Sequence, residues 1–363
     1  MRKQTQTVAI IGGGPTGIGI GRELRDGGID FEIFEAADDF GGVWNSAGAC
    51  GRTYPSLHLI SPKFNTQVAD FPMPEDYPDY PSHELMLRYI RSYAKAFGMY
   101  ERTRFGSKVA RLEPVGSEWR VTTAKGESAQ YPLVVVANGL QRIPRFPKYP
   151  GQFDGESIHS SQYKTAEQVR GKRVLVVGGG NSGCDMAVDA VHHAAAVYHS
   201  TRRGYYYQPK FVGGKPTPQW MMELGNKFPT KQETLAYIQE TFRLAGFDGT
   251  DYGLPKPDYP LDAAHPIMNS QILYHIGHGD IRAKGDIASF EGRRVRFVDG
   301  EEAEFDVVIY ATGYDRDLSF LDRGLLEWKS GIPSLFLHSV PRNLDNLLFM
   351  GFINSAAGLG DGL

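Results

Sequence analysis

A ten-residue pattern occurs twice in this chain, 166 positions apart, and the repeat limits the possible folds more than any other feature. Val8-Ala9-Ile10-Ile11-Gly12-Gly13-Gly14-Pro15-Thr16-Gly17 is matched by Val174-Leu175-Val176-Val177-Gly178-Gly179-Gly180-Asn181-Ser182-Gly183. Each copy is a short apolar run followed by G-x-G-x-x-G. That spacing suits a strand turning sharply into a helix. The first glycine permits the turn, the second lets the backbone approach a pyrophosphate, and the third lets helix and strand pack closely. The helix N-terminus then offers N–H groups to the phosphates. Two copies predict two nucleotide sites.

The similarity continues downstream. Alternating apolar segments at 109–112, 119–122 and 133–136 end in Ala137-Asn138-Gly139, and segments at 287–290, 295–298 and 307–310 end in Ala311-Thr312-Gly313. Period-2 alternation between Gly-rich turns reads as a β-meander that returns to the sheet. Helical spacing appears at 84–97, 231–245 and 267–276, whereas 71–81 is rich in Pro, Asp and Tyr and reads as an ordered loop. Pro144, Pro147 and Pro150 mark a hinge, with a second crossing near Tyr314. The expected fold class is α/β, with two Rossmann-like dinucleotide-binding domains, each carrying a β-meander. The first domain is drawn over 1–155 and 311–363, and the second over an insertion at 156–310.

One position separates the two sites chemically. Phe31-Glu32-Ile33-Phe34-Glu35 supplies a second strand ending in an acid 23 positions after Gly12, near the ~20 expected of a ribose-binding carboxylate. The same position in the second copy is Thr201, followed by Arg202 and Arg203. An acid hydrogen-bonds a free 2′-hydroxyl and repels a 2′-phosphate, while a nearby arginine accommodates that phosphate. The first site therefore reads as FAD and the second as NADPH. Phe40-Gly41-Gly42-Val43-Trp44 adds two glycines that let the backbone pass beneath a flat ring, with Trp44 beside it. The candidate FAD set is Gly12, Gly14, Pro15, Thr16, Gly17, Glu35, Gly42, Val43, Trp44, Val109, Ala137, Asn138 and Gly139. The candidate NADPH set is Gly178, Gly180, Asn181, Ser182, Gly183, Thr201, Arg202 and Arg203.

Phe153-Asp154-Gly155-Glu156-Ser157-Ile158-His159-Ser160-Ser161-Gln162-Tyr163 fits F-x-G-x-x-x-H-x-x-x-[aromatic] and lies between the two glycine motifs. With Gly180 to Asp185, Ser200 to Gly204, Phe40 to Trp44 and Ala311 to Tyr314, it resembles the class B flavin monooxygenases, in particular the bacterial-type flavin-containing monooxygenases. The resemblance runs from Val8 to about Phe352. It implies that NADPH reduces FAD, and that reduced flavin takes O₂ to a C4a-(hydro)peroxide while bound NADP⁺ shields it. A soft nucleophile of a small molecule, an amine nitrogen or a sulfide, then receives the oxygen. The cofactor carries that chemistry, so no protein base is assigned; Ser61 is the one catalytic candidate and is also a member of the candidate FAD set. The family's Asn near this place is missing from Leu59-Ile60-Ser61-Pro62-Lys63. Tyr163-Lys164 stands where Baeyer–Villiger enzymes typically carry Trp-Pro, which leaves ketone oxygenation as the alternative. His159 reads as fixing the linker between the domains.

Composition excludes several other classes. A net charge of −3 gives no footprint for nucleic acid. No apolar stretch approaches the ~18 residues of a membrane span, and the four-residue run Val8–Ile11 is too short for a signal peptide. Two cysteines, Cys50 and Cys184, form no C-x-x-C pair, which fits a reducing, cytoplasmic compartment and argues against a dithiol reductase. No metal is expected: His275 and His278 could share a helix face, but no Cys or acid completes a metal-ligand set beside them. Ser182 is not in G-x-S-x-G. The oligomeric state stays open between monomer and homodimer. No helical pattern follows Asn354-Ser355-Ala356-Ala357-Gly358.

Overall fold

The computed structural model describes residues 7–225, 227–329 and 331–353, so the segment from Asn354 lies outside it. The chain forms two compact units. One comprises Met1–Thr53, Lys63–Ile143 and Tyr314–Leu363; the other comprises Tyr54–Pro62 and Pro144–Gly313.

In the first unit, Val8–Ile11 is buried along its whole length and lies at the centre of a five-stranded sheet. The order is Leu347–Phe349, Leu133–Val136, Val8–Ile11, Phe31–Phe34, Thr103–Arg104, and every pair is parallel. Continuous apolar strands are what a parallel sheet covered on both faces requires. Helix Pro15–Asp26 makes the first crossover, with Pro15 at its first position, where no N–H is needed. It buries Gly17, Ile18, Gly19 and Gly21, so its sheet-facing stripe is nearly without side chains and the approach is close.

The second unit repeats the plan in four of its five strands, the edge strand Glu156–His159 coming from upstream of the central strand instead of from the end of the chain. Its order is Glu156–His159, Val307–Tyr310, Arg173–Val177, Ala196–Ser200, Ile281–Lys284, again all parallel. Helix Asn181–Ala190 follows its central strand.

Each unit carries an antiparallel excursion, and here the sequence reading needs correcting. The third meander strands are Ser128–Tyr131 and Glu302–Glu304, whereas Leu133–Val136 and Val307–Tyr310 belong to the central parallel sheets. Ser-Ala-Gln-Tyr and Glu-Ala-Glu are mostly polar, so hydrophobic alternation cannot reveal them; of the first, only Tyr131 is buried. In the second unit the excursion gains a further edge strand, Gly151–Phe153, parallel to Ile287–Gly292. That pairing draws residues upstream of 156 into the second unit, whose boundaries fall at Pro144 and Gly313, against the 156–310 drawn from sequence.

The helices at 84–97 and 231–245 appear as His83–Ala96 and Lys231–Leu244. Ser82 caps the former, and a reciprocal Thr230–Glu233 capping box opens the latter. The one expected at 267–276 is shorter, Ile272–Gly277. Ile267 instead bridges Tyr207 in extended form, and Asn269 Oδ1 accepts from the N–H groups of Gln271 and Ile272, both at 2.9 Å, which starts the helix late.

Candidate functional site

The two glycine loops have the same backbone geometry. Gly12 has φ +115° and Gly178 φ +122°, a region that side-chain-bearing residues avoid. A Cβ on Gly12 would lie 2.5 Å from the Ala137 carbonyl oxygen, and one on Gly178 would overlap the Ala311 carbonyl. Likewise a Cβ on Gly17 or Gly183 would overlap the carbonyl of Gly12 or Gly178. Both following helices are N-capped by glycine, Gly14 and Gly180, with no side-chain cap. Each therefore directs its first-turn N–H groups and positive dipole end at the loop without a competing side chain, as an anionic pyrophosphate requires.

In the first unit these elements border a cleft of about 460 Å³. It is lined by Gly12, Gly14, Pro15, Thr16, Glu35, Gly42, Val43, Val109, Ala137, Asn138 and Gly139, all anticipated from sequence. Gly17 packs helix on strand beneath it, and Trp44 ends the one-turn helix Gly42–Trp44 outside the lining set. Ser61 lies in the segment Tyr54–Pro62 of the other unit and is not among the lining residues. Lys108, Arg142, Cys50 and Asp317 line the cleft without having been foreseen. They flank recognised segments or, for Asp317, come from far along the chain, so no local pattern marks them.

Glu35 is 92% removed from solvent, yet fully hydrogen-bonded: Gly13 N–H donates to Oε2 at 2.6 Å and Ala37 N–H to Oε1 at 2.7 Å. The carboxylate thus braces the glycine loop and remains on the cleft wall. Asn138 Nδ2 donates to the Asp317 carbonyl at 2.6 Å, leaving Oδ1 buried without a protein partner. A narrow glycine cradle, an acid at the ribose position and an orphan acceptor fit a flavin dinucleotide.

In the second unit, Thr201 is buried and its N–H donates to the Lys284 carbonyl at 2.9 Å, while Arg202 and Arg203 are exposed. Ser182 is exposed at the helix start and Gly183 is buried. Asn181 turns inward, its Oδ1 accepting from Met268 N–H at 2.7 Å. Two cationic side chains beside a glycine cradle fit a dinucleotide carrying an extra phosphate. Beneath the loop, His199 is fully buried and its Nε2 lies 3.0 Å from the Gly178 carbonyl; burial holds its pKa below the ordinary value. Burial also pushes the Asp185 carboxyl up, against hydrogen bonds from Asn269 (2.6 Å) and Tyr54 (2.9 Å) that pull it down.

His159 is buried, with Nε2 3.0 Å from the carbonyl of Gly313, the last residue of the second unit, and Nδ1 3.1 Å from Ser161 Oγ. It anchors the chain where it leaves that unit. Asp280 Oδ2 is 2.9 Å from His275 Nδ1, while His278 lies against the Tyr274 ring. Burial raises the Cys184 thiol well above its usual range, which makes it unreactive.

Residues 5–360 match the family model described as flavin-binding monooxygenase-like. The chain belongs to that family. It is an FAD-dependent NADPH monooxygenase. The indole-3-pyruvate monooxygenase YUCCA8 of rice is 35% identical over 321 residues, covering 84% of this chain and 75% of that protein. The human flavin-containing monooxygenase 2 is 30% identical over 361 residues, 93% of this chain and 67% of that one. Among solved structures, a flavin-containing monooxygenase from Stenotrophomonas maltophilia shares the fold with a TM-score of 0.76 at 22% identity, over 98% of this chain and 94% of that one. No described helix of this flavin monooxygenase is long and apolar enough to cross a membrane.

Proposed function

We propose that the first unit of this flavin monooxygenase binds FAD and the second NADPH, and that the enzyme oxygenates a soft nucleophile, an amine nitrogen or a sulfide, of a small molecule. The observation that carries the cofactor assignment is the opposed chemistry at one position of the repeat: the hydrogen-bonded Glu35 carboxylate in one unit, Thr201 with Arg202 and Arg203 in the other. Glu35 orients a ribose hydroxyl while holding Gly13 and Ala37 in place. The uncapped turns after Gly14 and Gly180 bind the pyrophosphates. Gly42, Val43, Val109, Ala137, Asn138 and Gly139, which line the cleft, would hold the flavin, with Trp44 next to Val43 in the same one-turn helix. Arg202 and Arg203 bind the adenosine phosphate of NADPH. FAD held there would supply the hydride acceptor and the oxygen-activating chemistry.

A second reading is oxygen insertion at a carbonyl, in a ketone or an aryl 2-oxo acid. It is favoured by the 35% identity to the rice indole-3-pyruvate monooxygenase. Anaerobic mixing of the FAD-loaded enzyme with NADPH should bleach the flavin. Readmitting O₂ with a tertiary amine, a sulfide, a cyclic ketone or an aryl 2-oxo acid should give product in proportion to NADPH consumed with one class. Turnover of only the carbonyl compounds would replace the first reading by the second. Flavin that NADPH cannot reduce would remove both.

A further inference from the structure

Arg202 and Arg203 are adjacent and both exposed, but their surroundings differ. No hydrogen bond or ion pair holds Arg202 among the described residues. The Arg203 guanidinium carbon lies 5.4 Å from the centre of the Tyr205 ring and 5.3 Å from that of Tyr259, within cation–π range of both. The rings are themselves fixed. Tyr205 rests on the second glycine loop, since a Cβ on Gly179 would overlap its ring. Tyr259 arrives from a loop 56 positions downstream of Arg203. Its backbone carbonyl accepts from Tyr206 OH at 3.0 Å, and its ring meets that of Tyr206 edge-on at 5.6 Å. The approach of this loop depends on Gly204: a Cβ there would overlap the backbone of Pro255 and Lys256.

We propose that Tyr259, with Tyr205, is a positioning residue of the second nucleotide site, holding Arg203 beside the glycine loop as a preformed contact for the adenosine phosphate of NADPH. The inference rests on reading 178–203 as the NADPH site. A free arginine loses rotamer freedom when it engages a phosphate, and a clamped one has lost it beforehand. Only a ligand with that phosphate gains from the clamp, so the tyrosines act on selectivity for the phosphorylated cofactor more than on dinucleotide binding as such.

The test is equilibrium binding of NADP⁺ and NAD⁺ to the FAD-loaded protein by calorimetry. Tyr259→Ala should lower the preference for NADP⁺ over NAD⁺ roughly 3- to 10-fold, while FAD content and NAD⁺ affinity hold. Tyr259→Phe, which keeps the ring, should restore the preference. Arg203→Ala should lower it at least as far as Tyr259→Ala. If Arg203→Ala lowers the preference and Tyr259→Ala does not, the clamp is refuted and the site assignment stands. If neither Arg202→Ala nor Arg203→Ala changes it, the site assignment itself fails.

Discussion

Glu35 and His199 show how single side chains set these sites. Both carboxylate oxygens of Glu35 accept backbone N–H groups, one from the glycine loop. Glu35→Gln would turn one acceptor into an amide N–H facing a donor. Breaking one buried charge-assisted bond costs about 1–3 kcal/mol, so FAD should titrate into the apoprotein roughly 10-fold more weakly or worse. Unchanged affinity would show that the carboxylate does not contribute to the flavin site. His199 gives a pH prediction. Its Nε2 faces the Gly178 carbonyl and its Nδ1 is buried without a partner, so protonation within the fold is unfavourable and the folded pKa lies below the ordinary 6.5. The unfolded chain then takes up a proton near pH 6.5 while the folded chain does not. Stability therefore falls as pH drops from about 6.5 toward the folded value. His199→Gln, which keeps an N–H donor but cannot titrate, should flatten that limb of denaturant midpoint against pH. An equally steep limb in the variant would assign it to other groups.

At the scale of elements, the strand–loop–helix segment is the functional unit, and its third glycine is a packing requirement. Gly183 has no room for a Cβ against the Gly178 carbonyl, so Gly183→Ala must push the helix Asn181–Ala190 away from its loop. All residues lining the cleft beside Gly12 and Gly14 belong to the other unit. The variant should purify yellow with normal FAD content, yet show at least a 10-fold rise in the NADPH concentration needed for flavin reduction. Loss of FAD together with NADPH binding would contradict the separate assignment of the two loops. These segments were legible because apolar strand, glycine spacing and helix coincide in a dozen residues. The meander strands Ser128–Tyr131 and Glu302–Glu304 were not, because their polar side chains carry no burial signal and their pairing is fixed by partners upstream.

For the whole molecule, the repeat was readable as two copies of one nucleotide-binding plan, and four of the five sheet positions agree; the edge strand is Leu347–Phe349, last in the chain, in one unit and Glu156–His159, upstream of the central strand, in the other. The cofactor-distinguishing contrast, Glu35 against Thr201-Arg202-Arg203, was present in sequence because it depends on residue type at a fixed offset from a glycine. What local pattern could not give is whatever distant chain supplies. The packing of Gly151–Phe153 on Ile287–Gly292 decides which unit that segment joins, and the segment Tyr54–Pro62 joins the second unit although its neighbours on either side belong to the first. Tyr259 reaches Arg203 only because Gly204 lets the loop at 255–256 come close. Asp317 reaches Asn138 across 179 positions. The sequence by itself determined the two loops, their helices and the contrast of Glu35 with Thr201-Arg202-Arg203, since these follow from steric and electrostatic demands within about thirty consecutive residues. Tertiary structure alone decided unit boundaries, polar strand pairing and the aromatic clamp on Arg203, since those depend on contacts between residues whose separation along the chain carries no local signal.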